Sequence, residues 1–279
     1  LKNILEVYNV EGSHLWSFTT DNSIFDSQIT SDGKTIVVAS EDRNLYMLDK
    51  FGRQLWKFRA SRSMKKVAIS EDGLMVAVVS DDLNLYVLDK DGNLLWEKNI
   101  YIAMNGLAIY GTGNNTRIVL GTDSGNIIIF DRKGNTLIKI DTEYSVTDLD
   151  ITSNGGKIIS GTFDNNIKLF HGGNGNLLWN KLESSPITSA SISEKGKYIL
   201  IADADDSYNF KDLTIFYKKI LEGYDIVQGC RMPSGGGKIE KNAMPKSHQY
   251  IGNPFFSFIC KIFFSLPFND VYCGMKILR

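Results

Sequence analysis

Asp203 and Asp205 stand one residue apart, directly after the apolar run 199–202. At the end of a strand, carboxylates with that spacing point hard oxygen ligands to the same side of a turn, a donor set suited to a divalent cation. The same pair also reads as a solvated acidic turn. Asp206 follows either as an outer partner of such an ion or as the cap of the next segment. Gly235, Gly236 and Gly237 with Lys238 form a loop that could cradle phosphate, although a flexible linker explains the same residues. His248 alone reads more readily as a hydrogen-bonded helix residue than as a general base. Cys230, Cys260 and Cys273 lie far apart without a CxxC pairing, so neither a disulfide framework nor a zinc site is expected.

Charge and composition narrow the possible partners. With 31 Lys+Arg against 32 Asp+Glu and a net charge of -1, binding to nucleic acid through bulk basic charge is excluded. At 43% hydrophobic and 23% charged residues the chain is globular, with room for one large all-β unit or two smaller ones. No run reaches the roughly 18 apolar residues of a membrane-spanning helix. The nearest, 254–268, is interrupted by Lys261 and closed by Pro267. Its phenylalanines, from Phe255 to Phe264, suit either a core helix or a helix lying at a membrane interface. Both chain ends read as cut, and no basic-then-apolar leader is present, so the expected location is cytoplasmic or peripheral at the cytoplasmic membrane face.

The elements that must position these residues begin with a repeat. Trp16, Trp56, Trp96 and Trp179 each follow a leucine, and Ile138 holds the corresponding place, giving a period of about 40 residues. The text before each anchor repeats in register: NLYMLDKFGRQLW, NLYVLDKDGNLLW, NIIIFDRKGNTLI, NIKLFHGGNGNLLW. Each unit reads as four short strands. Leu45 and Met47 face one way, Tyr46 and Leu48 the other, and both sides are largely apolar, as a sheet packed between two neighbours requires. The pattern resembles the PQQ-like (quinoprotein-like) and WD-repeat β-propellers over roughly residues 4–202, with D-x-x-G-x-x-L-W closer to the first. It implies a mainly β, partial propeller of about 4–5 blades over 1–202. In that setting the tryptophans lock blade to blade, and no residue set for a quinone or its calcium ion is present. A half-unit at 4–18 and another at 187–202 either pair as a composite fifth blade or leave an open arc.

After Ala202 the period changes. Leu213, Phe216, Tyr217, Ile220 and Leu221 define an amphipathic helix over 212–222, Gly223 stops it, and 224–229 reads as a buried strand. IADADDSYNF, EGYDIVQGCR, GGGKIEKNAMPKSHQYIGNP and NDVYCGMKILR resemble family 2 glycosyltransferases of the dolichyl- or polyprenyl-phosphate sugar synthase type. The resemblance implies that 203–279 is an incomplete α/β GT-A segment. It makes Asp203 and Asp205 the D-x-D ligands of Mg2+ or Mn2+ and of a nucleotide-diphosphate sugar, and it places Arg231 at the acceptor phosphate of a polyprenyl or dolichyl lipid. Gln249 and Lys276 stand where arginines are expected. The nucleotide-binding half of that fold is missing, its place taken by propeller repeats, which points to a chimera joined at GKYILIA. Two functions follow: transfer of a hexose to a polyprenyl phosphate, catalytically incomplete as the chain stands, or a non-enzymatic propeller scaffold that binds a protein partner and carries a remnant transferase tail.

Overall fold

The computed structural model describes residues 2–9, 12–183, 187–202, 213–223, 226–228 and 276–278. Strands β1 (Ile4–Tyr8) and β2 (His14–Thr19) pair as a two-stranded sheet. Four complete antiparallel sheets of four follow in chain order. The first blade is β3 (Ile24–Ile29), β4 (Thr35–Ser40), β5 (Asn44–Asp49) and β6 (Gln54–Arg59). The second is β7 (Met64–Ile69), β8 (Met75–Ser80), β9 (Asn84–Asp89) and β10 (Leu94–Asn99). The third is β11 (Met104–Tyr110), β12 (Arg117–Thr122), β13 (Asn126–Asp131) and β14 (Thr136–Asp141). A fourth repeats the plan with β15 (Val146–Ile151), β16 (Lys157–Thr162), β17 (Asn166–His171) and β18 (Leu177–Leu182). These are propeller-like blades, as the repeat implies.

Burial on both faces explains why the strands carry so little polar residue. Leu45 and Met47 of the first blade join Tyr86 and Leu88 of the second in one core cluster, while Tyr46 and Leu48 pack on the other side against Leu5, Val7, Trp16 and Phe18. Each such side chain, fully buried, stabilises the stack by roughly 1.5–3 kcal/mol. The outer hairpins are pinned by aspartate. Asp49 Oδ1 accepts the N–H groups of Phe51 and Arg53, both at 2.9 Å, and Asp89 repeats this with Asp91 and Asn93.

The last sheet departs from expectation. Its order is β19 (Ser189–Ile192), β20 (Ile199–Ala202), β22 (Lys276–Leu278), β21 (Ile226–Gln228). Thus β20 pairs with the tail, Leu200 opposite Ile277, and the composite blade between 4–18 and 187–202 is not formed. The tail helix is present as α1 (Leu213–Leu221), stopped by Gly223 at φ 104. Phe216 and Ile220 are buried, but Tyr217 and Leu221 of the same stripe are exposed. The remainder of the expected GT-A segment lies outside the described residues.

Candidate functional site

The sequence-designated residues Asp203, Asp205 and Arg231, with Asp206, Lys238 and His248, lie outside the described residues. Lys276 falls in β22, opposite Ile201 and Gln228. Among the described residues no group of three or more His, Cys, Asp or Glu is placed to hold a metal ion. The tryptophans, read as blade locks, are half-buried rather than buried. Indole Nε1 of Trp16, Trp56 and Trp96 donates across 2.9 Å to the carbonyls of Lys50, Lys90 and Arg132 in the following blade. Each of these bonds ties an indole to the hairpin turn of the next blade.

The described site with polar chemistry is the axis. Inner strands β3, β7, β11, β15 and β19 are not sheet neighbours of one another, so their N–H groups need other acceptors. Side chains of the preceding blade supply them. Asp26 Oδ2 accepts the Val67 N–H (2.9 Å) and Gln28 Oε1 that of Ile69 (3.3 Å). Asp148 Oδ2 accepts from Ala190 (3.2 Å), and Asp150 Oδ2 from Ile192 (3.0 Å) and the Ser191 hydroxyl (2.7 Å). Lys66 crosses from the second blade to the fourth, its Nζ 3.5 Å from Asp148 Oδ1. Removal from water pushes the Asp26 carboxyl above the usual carboxylate range, against the lowering pull of the Val67 N–H and of Lys66. Burial does the same to Asp150 despite the Ile192 and Ser191 donors. These carboxylates hold blades in register; their oxygens are already committed to backbone amides, the Ser191 hydroxyl and Lys66.

Each end of the axis opens into a cleft. The narrow one, of about 280 Å³, takes Ile29, Ile69, Ile109, Ile151 and Ile192 from all five inner strands. The wide one, of about 620 Å³, is walled by Phe25, Leu83, Met104, Phe163 and Ile187, with Lys65 and Lys66 among them. Lys65 Nζ lies 3.9 Å from the centre of the Phe25 ring and 3.1 Å from Asp81. Phe163 is 73% exposed, and Tyr101, on the loop leading to Ala103 in the cleft wall, is 82% exposed. Leu83 (φ 67) and Tyr101 (φ 63) adopt the left-handed conformation, which costs bulky residues roughly 1–2 kcal/mol each. Sequence reading missed this rim. A signal existed, since Phe163 stands where the earlier repeats carry Glu41, Asp81 and Asp123.

Residues 2–140 match the family model described as outer membrane protein assembly factor BamB, and residues 135–171 match the WD domain, G-beta repeat. The amino-terminal part is thus similar to repeat domains of the PQQ-like and WD kind. Over 84 residues, 30% of its length, the chain is 30% identical to the low-salt glycan biosynthesis hexosyltransferase Agl6 of Haloferax volcanii. The match covers 20% of that protein, so the chain spans about a fifth of the curated relative. No helix among the described residues is long and apolar enough to cross a membrane.

Proposed function

We propose that the propeller-like part is a scaffold whose wide axial mouth receives a protein segment bearing apolar side chains. The observation that carries this is the cleft of about 620 Å³ with Phe163 exposed in its wall and Tyr101 exposed on the loop that leads to Ala103. An exposed apolar patch around a concave site is how soluble proteins present a partner surface, and aromatic residues dominate such contacts. Lys65 and Lys66 are already paired with Asp81 and Asp148, so shape and apolar burial, not charge, select the partner. A peptide-display selection on the full chain tests it. Apolar peptides whose binding falls at least tenfold in Phe163→Ser/Tyr101→Ser are expected; binding unchanged by those substitutions contradicts the reading.

A second reading concerns the tail, and the name of the Haloferax relative supports it. Here the tail belongs to a hexosyl transfer from a nucleotide-diphosphate sugar to a polyprenyl or dolichyl phosphate at the cytoplasmic membrane face. Asp203 and Asp205 would hold Mg2+ or Mn2+, which offsets charge on the leaving diphosphate, and Arg231 would meet the acceptor phosphate. With the nucleotide-binding half replaced by propeller repeats, donor binding is expected to be weak. Calorimetric titration of uridine and guanosine diphosphate sugars with Mn2+ measures it. Micromolar binding that disappears in Asp205→Ala would show a complete donor site.

A further inference from the structure

The wide cleft has a neighbour of the opposite character. Across Asp81, which walls both, lies a second cavity of about 460 Å³ formed by Arg43, Ser61, Arg62 and Ser63. The cations of the wide cleft are paired, Lys65 with Asp81 and Lys66 with Asp148. Those of the second cavity are not: among the described residues neither the Arg43 nor the Arg62 guanidinium forms an ion pair or a hydrogen bond. The carboxylates around them are occupied. Asp42 accepts the Asp21 and Asn44 N–H groups and the Tyr46 hydroxyl, and Asp82 accepts the hydroxyls of Ser61 and Tyr86. Glu41 lines neither cavity. The Ser63 hydroxyl donates to the Glu41 carbonyl, so the side-chain donors left in the second cavity are the two guanidinium forks.

The repeat shows that these arginines replace an apolar pair. Arg43 and Leu83 hold the same place in successive blades: their N–H groups return to the Ser40 and Ser80 carbonyls, and their own carbonyls accept the Ala60 and Ile100 N–H groups. Arg62 and Ile102 likewise precede Ser63 and Ala103, whose carbonyls accept the Asp81 and Asp123 N–H groups. The same two positions thus carry two arginines in one sector of the rim and a leucine and an isoleucine in the next, where Leu83 walls the wide cleft and Ile102 is exposed. The turn position is left-handed in all four blades, at φ 74, 67, 75 and 64, and the third and fourth fill it with Gly125 and Asn165, which tolerate that backbone. Arg43 holds its guanidinium there against a cost of roughly 1–2 kcal/mol, a strain of the kind that gathers at functional positions.

We propose that the Arg43–Arg62 cavity takes an acidic side chain from the same partner segment whose apolar side chains enter the wide cleft. This rests on the wide-mouth reading above and deepens it. Inside the wide cleft the lysines are paired and charge does not discriminate; beside it two unpaired guanidiniums do, and their planar forks match a carboxylate with parallel N–H···O bonds. An extended chain advances about 3.3 Å per residue, so a few residues suffice to reach from one cavity to the next across their shared wall at Asp81. The partner is therefore a peptide segment in which apolar residues stand beside an Asp or Glu.

Peptide display on the full chain, run in parallel on Phe163→Ser/Tyr101→Ser and on Arg43→Gln/Arg62→Gln, tests this. Enriched peptides should carry Asp or Glu beside their apolar residues, and the arginine substitutions should weaken them by about tenfold at low salt and by less at high salt. Changing the peptide's acid to its amide should weaken binding to the native chain by the same factor and to Arg43→Gln/Arg62→Gln no further. Charge reversal guards against a variant that merely misfolds: Arg43→Glu/Arg62→Glu should bind the peptide that carries Lys in place of its acid. Peptides that need Phe163 and Tyr101 but carry no acid, and that bind Arg43→Gln/Arg62→Gln as well as the native chain, would overturn this inference and leave the wide-mouth reading standing. Acidic peptides that need the arginines and ignore Phe163 and Tyr101 would overturn the wide-mouth reading, and with it the shared segment.

Discussion

The Trp56 indole donates its N–H to the Lys90 carbonyl across 2.9 Å, and its ring lies 2.8 Å from where a Cβ on Gly92 would stand. One blade thus reads the turn of the next by a hydrogen bond and by contact with a residue that has no side chain. Gly92→Ala combines a left-handed conformation with overpacking against the ring, and is expected to cost about 2–4 kcal/mol. Trp56→Phe loses the bond and part of the ring that rests on Gly92, and is expected to cost about 1–2 kcal/mol. Urea unfolding of both variants and of the double variant checks this; losses that simply add in the double variant would mean that the turn and the indole are not coupled.

Stability should follow pH through the axial carboxylates. Burial raises Asp26 and Asp150 in the folded chain, so the fold favours their neutral forms. That contribution is present below the ordinary carboxylate pKa and is lost as pH rises through the raised folded values. Asp26→Asn and Asp150→Asn keep an oxygen for Val67 and Ile192 but carry no charge. Their melting temperatures relative to the native chain should rise between pH 4 and pH 7, as scanning calorimetry would register. A difference flat across that range would contradict the placement of these carboxylates.

Tyr86 donates to Asp82 Oδ2 at 2.8 Å, and Asn84 Nδ2 lies 3.2 Å from the same hydroxyl. Burial first, and then the hydrogen bond to Asp82, pushes the phenol up to about 12. Tyr86→Phe is expected to cost about 1–2 kcal/mol at neutral pH. The deficit should persist up to pH 10 and shrink only as the phenol ionises between 10 and 12, because a raised pKa contributes stability below the unfolded value. Ultraviolet titration of the phenolate, alongside denaturant melts, follows both.

The repeat was legible because a blade is a local object. Leu15-Trp16 and its echoes set the period, the alternation of Leu45 and Met47 against Tyr46 and Leu48 gave two buried faces, and Asp49 with Gly52 marked the hairpin. The helix at Leu213–Leu221 was placed to within one residue at each end by its apolar stripe. Asp26, Asp148 and Asp150 were not legible, since in an alternating strand they look like solvated positions. Their partners, Val67, Ala190 and Ile192, lie about 41 residues away, beyond any local pattern. The fifth blade failed for a related reason. Three-residue strands such as Ile226–Gln228 and Lys276–Leu278 carry no period, and β20 pairs with a strand far along the chain, beyond any local pattern.

A partner that enters the wide axial mouth shields the backbone there. Amide hydrogen exchange of the full chain, with and without a peptide selected for binding, reads that directly. Slowed exchange is predicted at 80–83, 101–105 and around Phe163, where the cleft wall and its aromatic rim lie. Protection confined to the narrow end, around Ser70, Glu71 and Tyr110, or confined to the tail, would contradict it.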